Sequence, residues 1–118
     1  MFSDFNLHER LLKALSELAF VEPTPVQLAA IPPALAGKDL RVTAQTGSGK
    51  TAAFLLPLLN RFLNESKPLT ATRALILLPT RELAQQTLKQ VEIFAKHTFI
   101  HAALITGGED FKRQAAAI

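Results

Sequence analysis

The spacing of apolar side chains divides the sequence into helical stretches and short apolar runs. In the first helical stretch, leucine recurs every third or fourth residue, at Leu7, Leu11, Leu15 and Leu18. This stripe predicts a first helix, and Asn6 with Glu9 three residues later resembles its capping box. The same spacing over 81–96 predicts a further helix with a polar far side.

Two more helices are predicted between these stretches. Thr24 as N-cap and Pro25 in the first turn predict a short helix that ends at Ile31. The pair Pro32-Pro33 is expected to prevent its continuation. Residues 50–64 predict another helix, which contains Pro57 and should be kinked there.

The apolar runs 39–44, 74–78 and 98–106 lack helical spacing and predict strands, the second of them fully apolar as in buried parallel sheets. Strand, loop and helix therefore alternate along the chain. This order predicts an α/β fold, an open parallel sheet with right-handed crossovers and flanking helices.

Composition and charge narrow the class of protein. A chain of 118 residues that is 48% apolar suits one domain, and no apolar run is long enough to span a bilayer, so we expect no membrane partner. The formal net charge of +3 is compatible with a polyanionic partner, although the basic residues are scattered. The absence of cysteine excludes disulfides and a thiolate zinc site and fits the cytoplasm. The three histidines lack metal-ligand spacing.

The loop between strand 39–44 and the next helix carries the most chemistry. Its residues are Ala44, Gln45, Thr46, Gly47, Ser48, Gly49, Lys50 and Thr51. The glycines let successive N–H groups point inward, and the helix adds its positive N-terminal dipole, so that together they can hold a polyphosphate. Lys50 is expected to reach the β and γ phosphates, and the Thr51 hydroxyl to coordinate Mg²⁺. The alternative is an ordinary Gly/Ser turn before a helix.

Further motifs resemble those of DEAD-box ATP-dependent RNA helicases. Residues 20–27 resemble the Q motif, 44–51 motif I, 79–86 motif Ia, and 107–108 the GG element. The four occur in the family's order and cover nearly the whole chain. Ala19 departs from the family, which usually has glycine there, so the turn at this position is expected to be slightly altered.

The resemblance implies the residues that bind adenine. Gln27 would read the adenine edge, and a carboxamide can donate and accept at once at the N6 and N7 positions. ATP or ADP would then be preferred over GTP. Phe2 matches the family's upstream aromatic residue that stacks on adenine, since no core is evident for it to enter; the alternative is a mobile terminal residue. Thr24 is either only a helix cap or also faces the nucleotide.

The resemblance also implies an RNA-binding surface, in which residues at the strand-to-helix turn and at the glycine pair hold the phosphate backbone. These residues are Pro79, Thr80, Arg81, Gly107 and Gly108. The alternatives are a surface arginine at a helix start and a simple glycine turn.

Taken together, the resemblance implies a RecA-like P-loop NTPase fold, incomplete in this chain, with 1–37 as the Q-motif region and 38–118 as the first part of the ATP-binding domain. The implied function is ATP-dependent RNA unwinding with Mg²⁺, to which Lys50 and Thr51 contribute catalytically. No Asp-Glu-Ala-Asp sequence occurs. We therefore expect part of a longer helicase that binds nucleotide without turnover. The alternatives are a nucleotide-binding docking fragment or another P-loop NTPase, such as a DNA helicase or kinase.

Overall fold

The computed structural model describes residues 1–19, 22–45, 47, 49–65 and 72–107. Within these ranges the chain forms a short 3-10 helix, Phe2–Phe5, and four α-helices. The α-helices are α1 (Glu9–Glu17), α2 (Pro25–Leu35), α3 (Lys50–Leu63) and α4 (Arg81–Phe94). The four predicted helices are confirmed, with revised ends. None of the helices in these ranges combines the length and apolar character needed to cross a membrane.

The start of α1 differs from the prediction. Its N-cap is His8, whose Nδ1 accepts a hydrogen bond from the Arg10 backbone N–H at 3.1 Å. Asn6 instead ends the 3-10 helix in a left-handed conformation, with φ of 63°. The predicted capping box of Asn6 and Glu9 is therefore wrong, because the preceding 3-10 helix uses Asn6 as its own terminus.

Helix α2 passes through the proline pair and ends at Leu35, so its predicted end at Ile31 is wrong. The prolines lie in its last turns, where the Pro32 and Pro33 carbonyls accept hydrogen bonds from Ala36 and Lys38 at 3.2 Å. Ile31 is fully buried, and α2 packs most extensively against α3. Burial against α3 thus outweighs the local preference of proline to end a helix.

The core lies where the four α-helices and the 3-10 helix meet. Its largest fully buried side chains are Leu11, Leu15, Ile31, Leu55, Leu56 and Phe94. A buried polar residue of α3, Asn60, accepts a hydrogen bond from the His8 backbone N–H at 2.7 Å through Oδ1. This bond fixes the start of α1 against α3.

Unlike the predicted helices, the predicted strands are not observed as strands among the described residues. In the part of the chain that the structure describes, no residue is assigned to a strand, and residues 98–99 form a bend. Leu75 and Leu77 expose 80% and 83% of their surface. A β-strand requires a hydrogen-bonded neighbouring strand, and the described residues show no such pairing for the run 74–78. The parallel sheet remains a prediction.

Candidate functional site

The glycine-bearing loop leads directly into α3. Gly49 is the N-cap of this helix and has a φ of 88°, in the left-handed region that favours glycine. Gly47 has a φ of 84°. Thr46 and Ser48 lie outside the described residues. The helix that the phosphate-loop interpretation requires is thus present, and its first turn contains no acidic residue that would repel an anion.

Gln27 connects α2 to this loop. Its side chain is only 3% exposed. Oε1 accepts a hydrogen bond from the Thr24 backbone N–H at 2.9 Å, and Nε2 donates to the Gly49 carbonyl at 3.1 Å. A Cβ atom at Gly49 would clash with Gln27 Nε2. Glycine at this position therefore permits both the backbone conformation and the close approach of the carboxamide.

The hydroxyl of Thr24 faces the same place. Its Oγ1 is buried and has no hydrogen-bond partner among the described residues. It would lie 3.0 Å from a Cβ atom at Gly49. Buried hydroxyls normally find a partner, so an unsatisfied one beside a loop is free to meet a ligand. Thr24 is therefore both the N-cap of α2 and a polar atom directed at the candidate site.

The remaining described loop residues are accessible to solvent and include one cation, Lys50. Lys50 is exposed, and its Nζ donates to the Ala44 carbonyl at 3.3 Å. Gln45 is exposed and Thr51 is partly exposed. No group of acidic or histidine residues in the described ranges could hold a metal ion by itself. This donor set suits Mg²⁺ held by phosphates and one hydroxyl, because Mg²⁺ keeps several waters and needs few protein ligands.

Phe2 is located differently from the expectation. Its ring is buried in the core beside Leu7 and Leu11, and it meets Phe5 edge-on, with ring centroids 5.9 Å apart. The premise that no core is available for Phe2 is wrong. The 3-10 helix, which the apolar periodicity did not indicate, turns this residue inward. Its role in stacking on adenine remains a prediction, which this conformation does not favour.

A second cluster forms at the start of α4. Thr80 is the N-cap, and its Oγ1 accepts a hydrogen bond from the Leu83 backbone N–H at 3.2 Å. The Arg81 guanidinium donates to the Gly107 carbonyl at 2.6 Å. Pro79 is exposed beside them, and Gly108 lies outside the described residues. The structure thus brings together Thr80, Arg81 and Gly107, while their contact with RNA remains a prediction.

Sequence reasoning missed the bonds that join these segments. Gln27 and Gly49 are 22 residues apart, and Arg81 and Gly107 are 26 apart. No periodicity signals a hydrogen bond across such a separation. Ala19 was noted because the resembled motif usually has glycine there, and its φ of 58° explains that preference.

Comparison with known proteins gives consistent matches along the chain. A sequence profile described as DEAD/DEAH box helicase matches residues 24–118. The chain is 51% identical over 113 residues to the probable ATP-dependent RNA helicase ddx27 of Dictyostelium discoideum, covering 96% of this chain and 14% of the relative. It is 49% identical over 115 residues to the ATP-dependent RNA helicase SrmB of Escherichia coli, covering 97% of this chain and 26% of SrmB.

Solved structures give the same result. The RNA helicase Prp28 from Chaetomium thermophilum, bound to ADP, superposes with a TM-score of 0.84 at 46% identity, covering 96% of this chain and 28% of that one. A DEAD box protein from Methanococcus jannaschii superposes with a TM-score of 0.89 at 36% identity, covering 98% and 31%. The chain thus spans less than a third of the length of the proteins it resembles.

Proposed function

The chain belongs to the DEAD/DEAH box helicase family, and we propose that it supplies the adenine-nucleotide-binding part of an ATP-dependent RNA helicase that unwinds short RNA duplexes. The relatives described above carry that activity in their names, and one similar structure contains ADP. Within this chain, the observation that carries the proposal is the hydrogen bond between Gln27 and Gly49. It joins a base-reading side chain to a phosphate-binding loop.

Base recognition follows from the hydrogen-bond donor and acceptor that Gln27 leaves unused. A carboxamide has two N–H groups and two acceptor lone pairs, and the contacts with Thr24 and Gly49 use one of each. One donor and one acceptor remain for the adenine N7 and N6 positions. The unsatisfied Thr24 hydroxyl adds a third polar group on this side. In this proposal Gln27 positions Gly49 while it reads the base.

Phosphate binding is assigned to the loop and the start of α3. Lys50 would exchange its contact with the Ala44 carbonyl for the β and γ phosphates, which form stronger, charge-assisted hydrogen bonds. Main-chain N–H groups of residues 45–49 would surround the phosphates. Thr51 would provide one oxygen ligand to Mg²⁺, which when bound neutralises charge that develops on the transferred phosphoryl group.

RNA binding is assigned to the cluster at the start of α4. Thr80 and Arg81 would contact backbone phosphates, together with the turn at Gly107 and the neighbouring Pro79 and Gly108. A RecA-like parallel sheet built from the predicted strands would place this cluster and the phosphate loop at the same edge. The cytoplasmic location likewise remains a prediction.

The experiment that tests this function compares ATP and GTP binding in two variants. Gln27→Ala should weaken ATP binding more than GTP binding; any disturbance of Gly49 affects both nucleotides equally, so the difference isolates base recognition. Lys50→Ala should weaken both triphosphates by roughly tenfold to a hundredfold, the loss expected for hydrogen bonds to a charged group. Affinities can be measured by fluorescence titration with labelled nucleotides.

The exposed Gln85 of α4 provides a matched control, and Gln85→Ala should leave both affinities unchanged. Equal losses of ATP and GTP affinity in Gln27→Ala would contradict the assignment of Gln27 to the base.

A further inference from the structure

A shallow depression lies at the opposite end of α4 from Thr80 and Arg81. It has a volume of about 650 Å³ and is lined by Glu9, Arg10, Lys13, His97, Thr98 and Phe99. Since α4 has 14 residues and an α-helix rises about 1.5 Å per residue, its two ends are separated by about 20 Å. The depression is therefore distinct from the cluster to which RNA binding is assigned above.

The charges around the depression are unequally compensated. Glu17 accepts a hydrogen bond from His97, and its Oε2 lies 3.7 Å from Lys96 Nζ. That carboxylate is thus already paired at the junction of α1 and α4. In contrast, Arg10 and Lys13 have no described carboxylate oxygen within 4.0 Å, although the Glu17 carboxylate still feels the Lys13 charge from farther away. Glu9 offsets part of this charge, and the surface remains net positive.

An exposed aromatic ring adjoins these cations. Phe99 is 56% exposed and lines the depression. Arg10 and Lys13 are one helical turn apart, so their Cβ atoms are about 5–6 Å from each other on the same face of α1. Cations beside an exposed aromatic ring are the combination by which proteins hold single-stranded nucleic acid, with phosphates on the cations and a base on the ring.

We propose that this depression is a second contact for single-stranded RNA, in which Arg10 and Lys13 hold phosphates and Phe99 stacks on one base. The proposal rests on the proposed function, because RNA is the polyanion that function provides. An acidic polypeptide would use the cations but has no planar base to place on Phe99. The ring therefore favours RNA.

The test measures fluorescence anisotropy of a labelled 12-nucleotide oligouridylate with the whole chain over a range of salt concentrations. The double substitution Arg10→Ala/Lys13→Ala should weaken binding at least fivefold. It should also lower the slope of log K against log salt by about 1.4, because each phosphate contact on a single strand contributes about 0.7. The control Lys38→Ala/Arg61→Ala removes the same charge from exposed positions outside the depression and should leave the slope unchanged.

The ring is tested separately. Phe99→Leu should weaken binding about fivefold or more without changing the salt slope, because stacking on a base does not release counterions. Phe54 of α3 is a matched control, since it is also exposed and lies outside the depression. Phe54→Leu should bind as the unsubstituted chain does. All these side chains are exposed, and circular dichroism should show the same helix content in every variant.

Three results would overturn the proposal. One is an equal decrease of the salt slope in Arg10→Ala/Lys13→Ala and in Lys38→Ala/Arg61→Ala, which would mean that RNA binding depends only on the net charge of the chain. Another is binding of polyglutamate that is lost in Arg10→Ala/Lys13→Ala while RNA binding persists, which would assign the surface to acidic polypeptides. The third is RNA binding that depends on Arg81 but on none of Arg10, Lys13 and Phe99. This last result would leave the proposed function standing. An unsubstituted chain that binds no RNA would likewise overturn only this second contact, because the nucleotide affinities of Gln27→Ala and Lys50→Ala test the proposed function separately.

Discussion

Helix α3 and the run 74–78 are both rich in leucine, yet their leucines differ in solvent exposure. In α3, Leu55 is fully buried against neighbouring helices, whereas Leu77 exposes 83% of its surface. Composition does not explain the difference, because both segments are rich in leucine and the run 74–78 was itself predicted to be buried. What separates them is the source of their backbone hydrogen bonds.

A helix satisfies most of its N–H and C=O groups internally, and α3 in addition packs against α2 and α4. A parallel strand obtains its bonds only from another strand, reached through a crossover of a dozen or more residues. Helix α3 has its packing partners within the described ranges, whereas these ranges show no strand paired with the run 74–78. The contrast is therefore between local and distant sources of stability.

Amide hydrogen exchange should show the largest difference between the two segments. Buried residues of α3 open only with the whole fold, while unpaired backbone exchanges almost freely. We expect the amides of Leu55, Leu56 and Leu59 to exchange roughly a thousandfold or more slowly than those of 74–78. The measurement is exchange followed by NMR. Equal protection in 74–78 would contradict this expectation and would show that the run is hydrogen-bonded in solution, as the predicted sheet requires.

Truncating one leucine in each segment measures the same contrast in stability. Leu55→Ala removes a fully buried side chain and should lower the free energy of unfolding by about 2–5 kcal/mol. Leu77→Ala removes the same atoms from an exposed position and should change it by less than about 0.5 kcal/mol. Urea denaturation measures both. A comparable loss in Leu77→Ala would mean that Leu77 is packed in solution.

Two glycines that border helices allow backbone strain to be compared with side-chain overpacking. Gly37 and Gly49 both have positive φ, but a Cβ at Gly37 meets nothing within 4 Å, whereas one at Gly49 meets Gln27. Gly37→Ala should lower the free energy of unfolding by about 1 kcal/mol through backbone strain alone. Gly49→Ala should cost about 2–3 kcal/mol, because overpacking adds to the strain.

Thermal unfolding of the two variants measures the difference directly. In a Gln27→Ala background the clash with Gln27 is removed, so the excess loss of stability of Gly49→Ala over Gly37→Ala, measured against Gln27→Ala, should become smaller. An unchanged excess would mean that the close approach of Gln27 is not its source.

The sequence predicted those parts of the fold that depend on nearby residues. Apolar periodicity located α1 and α4, the cap at Thr24 located the start of α2, and the glycine-bearing loop located the start of α3. The end of α2 was mispredicted because burial of Ile31 against α3 is a tertiary effect that outweighs two prolines. The strands could not be established in the same way, because their pairing depends on distant partners.

In the candidate site, too, only the features that depend on nearby residues could be predicted. The glycine spacing indicated the phosphate loop, because the chemistry of that loop is local to it. The bond between Gln27 and Gly49 spans 22 residues and has no local signal. Phe2 was taken as free of the core because the N-terminus around it is otherwise polar, yet its ring belongs to the same buried cluster as Leu7 and Leu11.

The smallest expected effect concerns an exposed link between helices. Glu17, near the end of α1, accepts a hydrogen bond from His97, which follows α4. That hydrogen bond, followed by the nearby charges of His97, Lys96 and Lys13, holds the pKa of the Glu17 carboxyl below its ordinary value of about 4.5. A lowered carboxyl pKa stabilises the fold above about pH 4.5, and this contribution is lost as the pH falls through the folded-state pKa.

Glu17→Gln should therefore lower the melting temperature slightly at neutral pH, and the difference from the unsubstituted chain should vanish in acid. The effect is small because exposed ion pairs are screened by solvent. Glu92→Gln on the exposed face of α4 is the control, because it removes one exposed carboxylate away from this link and should leave the melting temperature at neutral pH unchanged. A Glu17→Gln effect as large as that of Leu55→Ala would mean that surface links, rather than the buried leucines, hold α1 and α4 together.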